Sequence, residues 1–207
     1  MPSEARLQVV IVSYNVKHYA AQAIRSVLRA TSQLPVEVWV VDNASQDGSV
    51  EHLRSRFPQI HIIENKDNVG FSRANNMAIA QSHTDYVLLL NPDTIVAEDT
   101  LKACVEYLDA HPAAGAAGCR MQNIDGTFAR ESRRALPTPK ISMLKMLGRA
   151  GHYYMSYLPI DQPGEIEIMS GAFMLLRRKA LDKVGLLDAR FFMYGEDIVL
   201  SDRMMLG

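Results

Sequence analysis

The chain has 207 residues, with 22 Lys+Arg against 23 Asp+Glu, a formal net charge of -1 at pH 7 and 48% hydrophobic residues. That is enough chain to close a core, and the composition excludes disorder and collagen-like structure. Near-neutral charge gives no general attraction to nucleic acid, so no nucleic-acid partner is expected.

Leu7 to Val12 is an apolar, β-branched run with one polar interruption, the pattern of a strand buried on both faces of a parallel sheet. From Tyr19 to Thr31, Ala20, Ala23, Ile24, Val27 and Leu28 recur at helical spacing. Glu37 to Val41 reads as the next strand, ending in the turn-forming Asp42-Asn43-Ala44-Ser45. A helix carrying Val50, Leu53 and Phe57 follows and stops at Pro58. Ile60 to Ile63 is a short third strand, Asn68-Val69-Gly70 a turn and Phe71 to Ala80 a helix. Tyr86 to Leu90 is a fourth, strongly apolar strand ending at Asn91-Pro92-Asp93-Thr94. Leu101, Val105 and Leu108 mark a helix that ends before Pro112. Ala113 to Cys119 is a candidate fifth strand.

Between 123 and 163 the pattern breaks into a Pro- and Arg-containing stretch, expected to be a mobile loop. Regularity returns at Glu167 to Leu176, read as one strand containing Ser170-Gly171-Ala172, followed by a helix ending near Gly185. Four successive strand and helix units predict an α/β fold with a mostly parallel central sheet flanked by helices on both faces. Ligands then belong at the carboxyl ends of the strands. With no repeat, low-complexity tract or linker, residues 1–207 are expected to form a single domain.

Cys104 and Cys119 make no disulfide framework, and the six histidines stand singly, none with a partner at i, i+4. No basic stretch leads into an apolar signal core and no apolar run is long enough to span a bilayer, so the expected location is cytoplasmic.

Polar residues collect at the strand ends: Ser13, Tyr14 and Asn15 after the first, Asp42 and Asn43 after the second, Asn91 and Asp93 after the fourth. Each alone is consistent with an ordinary turn or helix cap; three together point to one crevice. The Asp42 carboxylate is placed to accept from a nucleobase imide or a ribose hydroxyl, with an Asx turn as the competing reading. Gly70 opens a helix whose first turn holds Arg73, which suits a diphosphate. Asp93, on a Pro-stiffened turn, is a candidate ligand for Mg²⁺ or Mn²⁺. Glu196 and Asp197 follow Phe191-Phe192-Met193-Tyr194-Gly195. They read either as a sheltered general base or as a helix N-terminus in which acids suit the macrodipole.

The ordered series Val10-Ile-Val-Ser-Tyr-Asn15, Val41-Asp-Asn-Ala-Ser45, Asn68-Val-Gly-Phe71, Asn91-Pro-Asp93, Met169-Ser-Gly-Ala-Phe173 and Phe192-Met-Tyr-Gly-Glu-Asp197 resembles the bacterial family 2 glycosyltransferases, rhamnosyltransferase-like members above all. The resemblance implies a GT-A fold, the Rossmann-like fold of nucleotide-diphospho-sugar transferases. Residues 1–122 would be the nucleotide-binding half and 123–207 the acceptor-side half. It implies donor binding by Ser13, Tyr14, Asp42, Asn43, Gly70, Arg73, Asn91 and Asp93, with Asp93 also holding the metal. Ser170, Gly171 and Ala172 would line the sugar pocket, Asp197 would be the catalytic base, and Glu196 would orient it or the acceptor.

The implied reaction is a single in-line displacement with inversion. A sugar, rhamnose being one candidate, would move from a dTDP- or UDP-sugar to a saccharide or lipid-linked acceptor in bacterial cell-surface polysaccharide synthesis. The sequence departs from the family pattern at Asn91, where the first acid of an Asp-X-Asp motif would stand, and at Val199, where a second acid often follows. Family members also continue beyond the position of Gly207, so the chain is expected to lack its C-terminal part. The alternative from another class is a non-catalytic nucleotide-sugar-binding or scaffold protein derived from a transferase. Between Lys140 and Leu158, basic and apolar residues mix. A flap over the site is the first reading of that segment, and peripheral contact with the inner face of an anionic membrane the second.

Overall fold

Strand β1 (Leu7–Ser13) runs through the middle of the molecule, and Leu7, Val9, Val10 and Ile11 are wholly buried, as a strand covered on both faces requires. Its polar interruption, Gln8, is also buried and fully engaged. Nε2 donates to Ala78 O at 2.6 Å, and Oε1 accepts from Arg178 at 3.3 Å. The computed structural model describes residues 5–31 and 34–207; the first four residues, part of the segment read as lacking a signal core, lie outside it.

Along the chain, β1 is followed by α1 (Lys17–Ala30), β2 (Val36–Asp42), α2 (Ser49–Arg56), β3 (His61–Glu64), α3 (Phe71–Ile79), β4 (Tyr86–Leu90) and α4 (Thr100–Ala110). The four expected strand and helix units are therefore all present, each within a few residues of its expected bounds. Strands β1 to β4 pair in parallel in the order β3-β2-β1-β4. Because the chain leaves β1 toward β2 and later returns to its other side as β4, a crevice opens at the carboxyl ends of β1 and β4.

After α4 come β5 (Ala116–Ala117), a 3₁₀ turn (Arg130–Ser132), β6 (Arg133–Arg134), α5 (Pro139–Met146), β7 (Ile168–Met169), β8 (Phe173–Arg177), α6 (Arg178–Val184) and α7 (Glu196–Leu206). Here the sequence reading needs three corrections. The single strand expected from Glu167 to Leu176 is two. β7 pairs with β6 in a separate two-stranded sheet, and β8 joins the main sheet antiparallel to β4 and to β5. Between β7 and β8 the chain turns at Ser170–Ala172, where Phe173 N donates to Ser170 O at 3.3 Å and the Ala172 carbonyl accepts Asn91 N at 3.1 Å and Thr94 Oγ1 at 3.4 Å. The fifth strand shrinks to two residues. The stretch from 123 to 163 carries a 3₁₀ turn, a strand and a helix, whose apolar spacings are too short for periodicity to reveal. No residue of α5 is buried, where a flap packed over the site was one expectation.

Two cores sandwich the sheet. On one face Val9 and Ile11 meet Ile24 and Val27 of α1, Leu53 of α2 and Leu101, Val105 and Leu108 of α4. On the other, Val10 and Val41 meet Ala74 and Ala78 of α3, Leu181 of α6 and Leu200 of α7. Alternate residues of β1 thus serve opposite cores. Each fully buried Leu, Ile or Val contributes about 1.5–3 kcal/mol, which fixes the strand ends on which the site is built.

Candidate functional site

Ser13 and Asp42 are register partners at the carboxyl ends of β1 and β2, and both are buried. One oxygen of Asp42, Oδ2, accepts Ser45 N at 2.8 Å and closes the anticipated Asx turn. The other, Oδ1, is buried with no protein partner, as is Ser13 Oγ. Two neighbouring buried oxygens without protein partners are costly to leave unpaired and suit a ligand's donors. The turn and ligand readings of Asp42 are therefore compatible, one for each oxygen.

Hydrogen bonds tie the neighbouring ends together. Asn43 N donates to Ser13 O at 2.8 Å and Asn43 Nδ2 to Gly70 O at 3.3 Å, while Asn43 Oδ1 accepts from Asn65 Nδ2 at 2.8 Å. Asn15 donates its N–H to Ser45 Oγ at 2.9 Å and accepts Gln46 N at 2.8 Å, stapling the first strand end to the second. Asn15 and Ala44 adopt left-handed φ of 55° and 64°, and Tyr194 one of 68°. Non-glycine residues held in this region concentrate where surrounding structure imposes a geometry. Tyr14 is half exposed beside this cluster.

Gly70 opens α3, and its backbone approaches the loop before α7 closely: Phe71 N donates to Phe192 O at 2.7 Å. Only glycine fits there. Its φ is +85°, and a Cβ would lie 2.6 Å from Phe192 O and 2.8 Å from Phe192 Cδ2. Gly70→Ala is expected to cost about 2–4 kcal/mol, adding left-handed strain to overpacking. Gly48→Ala, with φ +74° but nothing within 4 Å of the new Cβ, should cost about 1 kcal/mol. Urea midpoints compare the two, and equal losses would refute the close-packing account. Arg73 is exposed, and its Nε donates to Ala189 O at 3.3 Å, so its guanidinium is turned toward the same loop. Ser72 Oγ and Asn75 Oδ1, buried without partners in α3, are further candidate contacts.

Across the crevice, Asn91 and the exposed Asp93 occupy the turn after β4, held against Ser170–Ala172 by the bonds to Ala172 O. Ser170 Oγ accepts Ala172 N at 3.3 Å. Next comes Met169, whose carbonyl accepts Arg134 Nη2 at 3.0 Å, and the same nitrogen donates to Asp197 Oδ2. Asp197 Oδ1 accepts Ile198 N at 2.9 Å. The pair is sheltered: the side chains of Arg134 and Asp197 are 18% and 14% exposed. Arg134 was not among the expected site residues. The sequence signal was only an Arg-containing stretch, and its partner stands on α7, far along the chain.

Glu196 and Asp197 begin α7, so both readings of this acidic pair apply, as helix N-terminus and as sheltered carboxylates. Burial pushes the Glu196 carboxyl above the ordinary range, the Asp197 charge adds to this, and a backbone hydrogen bond and Arg134 oppose it. Its Oε2 has no protein partner. For Arg134, burial works against the charge, but the hydrogen bond and charge of Asp197 outweigh it and hold the guanidinium above its ordinary value.

Two hollows lie away from these strand ends. One of about 1160 Å³ is lined by Cys104, Cys119, Arg133, Met169 and Met204. Another of about 780 Å³ sits at the amino ends of β1 and β4, beside Arg6, Tyr86 and Arg178. Among the described residues no group of three or more His, Cys, Asp or Glu is arranged to hold a metal ion. Asp93 at an open turn instead offers a single hard oxygen donor, which suits an ion completed by phosphates and water.

Residues 8–185 match the family described as Glycosyl transferase family 2. A relative from Mycobacterium tuberculosis, N-acetylglucosaminyl-diphospho-decaprenol L-rhamnosyltransferase, is 29% identical over 217 residues, covering 96% of this chain and 70% of that protein. Among solved structures, the mannosyltransferase PcManGT from Pyrobaculum calidifontis, in complex with GDP-Man and Mn²⁺, has a TM-score of 0.67 at 19% identity, with 99% of this chain and 55% of that one covered. TarS 1-349 of S. aureus in complex with UDP-GlcNAc has a TM-score of 0.66 at 17% identity, with 97% and 53% covered. The chain spans about half the length of these two solved structures, and the likeness shows a shared GT-A fold.

Proposed function

The chain belongs to glycosyl transferase family 2, and from that membership we propose that it binds a nucleotide-diphosphate sugar at the β1–β2 side of the crevice and transfers the sugar, with inversion, to an acceptor hydroxyl. The observation that carries this reading is the pair of buried, unpartnered oxygens, Ser13 Oγ and Asp42 Oδ1, at adjacent strand ends. A nucleobase or ribose supplies the donors that such oxygens lack. The solved neighbours, titled with GDP-Man and Mn²⁺ and with UDP-GlcNAc, support a nucleotide sugar as the class of donor.

In this reading Asn43 and Gly70 shape the floor of the donor site, Tyr14 flanks the base, and Arg73 and Asn91 edge the diphosphate. Ser170, Gly171 and Ala172 line the sugar pocket. Asp93 would hold the divalent cation, Mg²⁺ or Mn²⁺, which neutralises charge developing on the departing diphosphate. The acceptor oxygen bonds to the anomeric carbon as the bond to the diphosphate breaks, and Asp197 takes the hydroxyl proton. Glu196, buried and unpaired at Oε2, orients the base or the acceptor. The M. tuberculosis relative, named for a diphospho-decaprenol substrate, supports a saccharide or lipid-linked acceptor in cell-surface polysaccharide synthesis, with rhamnose as one candidate sugar and dTDP or UDP as the carrier. These steps fit a single domain of cytoplasmic location working at the inner face of the membrane.

Calorimetric titration with dTDP and with UDP, each with and without Mn²⁺, tests the donor site. Binding strengthened by Mn²⁺ is expected, and Asp93→Ala should abolish that strengthening while leaving the metal-free affinity within about threefold, since one exposed carboxylate contributes little to the fold. A folded chain that binds neither nucleotide would sink the proposal. Nucleotide binding without acceptor-dependent turnover would favour the scaffold reading.

A further inference from the structure

We propose that the outward face of α5 and the residue after it form a docking surface for a bilayer rich in anionic phospholipid. Helix α5 is well defined at its start: Pro139 stands in the first turn, and the Thr138 side chain accepts Ile141 N at 3.3 Å. One face turns toward the protein. Ile141 and Leu144 are half buried there, and Lys145 Nζ lies 3.7 Å from the centre of the Tyr153 ring. The segment is fastened by Ala135 N donating to Tyr153 O at 2.8 Å.

The other face has no partner. Met143, Met146 and Leu147, at i, i+3 and i+4, are 56%, 88% and 69% exposed. Lys140 precedes Met143 by three residues and joins the same stripe. A water-facing helix would carry polar residues at these positions. Tyr157 and Ile160 are exposed too, but they line the hollow beside Cys104 and Cys119. The occupant is identified by charge. From 140 to 160 the chain contains Lys140, Lys145 and Arg149 and no Asp or Glu at all. Lys140 in the stripe and Arg149 just beyond it set cations beside long, flexible apolar side chains, which suits the surface of an anionic bilayer. Among the described residues no helix is long and apolar enough to cross a membrane, so the contact is peripheral.

The position of α5 gives this surface a use. It begins five residues after Arg134, the partner of Asp197, so a docked α5 would hold the acceptor side of the crevice close to the bilayer. The surface stands independently of the transferase reading, because binding to lipid requires no turnover.

Co-flotation of the full chain with vesicles of phosphatidylcholine alone, or with one-third phosphatidylglycerol, tests the proposal. Binding is expected to the anionic vesicles and to weaken with salt. Lys140→Glu with Arg149→Glu should lower it at least tenfold, at about fivefold for each cation lost. Met146→Ser with Leu147→Ser should also lower it about tenfold or more. Circular dichroism establishes that both variants remain folded. Absence of flotation by the folded wild-type chain, or unchanged flotation of both variants, would overturn the proposal. So would a concentration-dependent dimer abolished by Met146→Ser with Leu147→Ser in a chain that does not float, which would assign the face to a second copy.

Discussion

Asp197→Asn is expected to lower sugar transfer by about 10²–10⁴-fold while leaving nucleotide affinity within twofold. The amide keeps the size of the carboxylate but has one accepting oxygen, so it can keep only one of the bonds from Ile198 N and Arg134 Nη2, which the carboxylate takes on separate oxygens; the backbone at the start of α7 should survive. What it loses is the ability to take a proton from the acceptor. Glu196→Gln is the companion measurement. Glu196 is buried with Oε2 unpaired, and its proposed part is to orient the base or the acceptor and not to take the proton, so its loss should cost less than that of Asp197. Single-turnover rates with donor in excess, alongside calorimetric affinities, separate the two. If Glu196→Gln were the more damaging change, the roles of the two carboxylates would be exchanged; if Asp197→Asn removed nucleotide binding as well, neither assignment would stand.

The second large effect is expected at Arg134. Its guanidinium bonds both Asp197 and the Met169 carbonyl, so it joins the start of α7 to the backbone that leads into Ser170–Ala172. Removing one partner of a buried ion pair costs about 3–5 kcal/mol; here about a sixth of each side chain is exposed, so Arg134→Ala should cost roughly 2–3 kcal/mol. The rate should fall as well, with a signature that lost stability alone cannot give. Arg134 is bonded to Asp197 and opposes the burial that raises the Glu196 carboxyl, so removing its positive charge favours the protonated forms at the start of α7. The acid limb of the pH–rate profile should therefore move to higher pH, and Arg134→Lys should partly restore it. Urea denaturation and pH–rate measurements check the two effects, and an unchanged acid limb would reduce Arg134 to a structural strut.

The strand-end part of the candidate site was largely legible in the sequence, because in a parallel sheet buried on both faces each strand is a plain apolar run whose end is marked by its first polar residues. Ser13, Asp42, Asn43, Asn91 and Asp93 stand where β1, β2 and β4 stop, and the break in hydropathy is sufficient to find them. The part around Arg134 and Asp197 was not. Strands β6 and β7 have two residues each, too few for any period, and β8 enters the sheet antiparallel, a choice made by pairing partners and not by its own composition. The bond from Arg134 to Asp197 joins residues 63 positions apart, and no local pattern announces it. The same is true of Gly70. A turn was legible there, but its need for glycine comes from Phe192, which arrives with the far end of the chain.

The antiparallel entry of β8 has a consequence for how the chain is made. Tyr86–Leu90 is buried throughout, yet on one side its backbone is paired only by Phe173–Arg177, which the ribosome delivers much later. At roughly 5–20 residues per second, nascent β4 stands for several seconds as an open, wholly apolar edge, the kind of template on which unrelated strands add. Synthesis through the intervening segment is thus the interval in which chaperone cover matters most, and a translational pause between Asn91 and Ala172 would lengthen it.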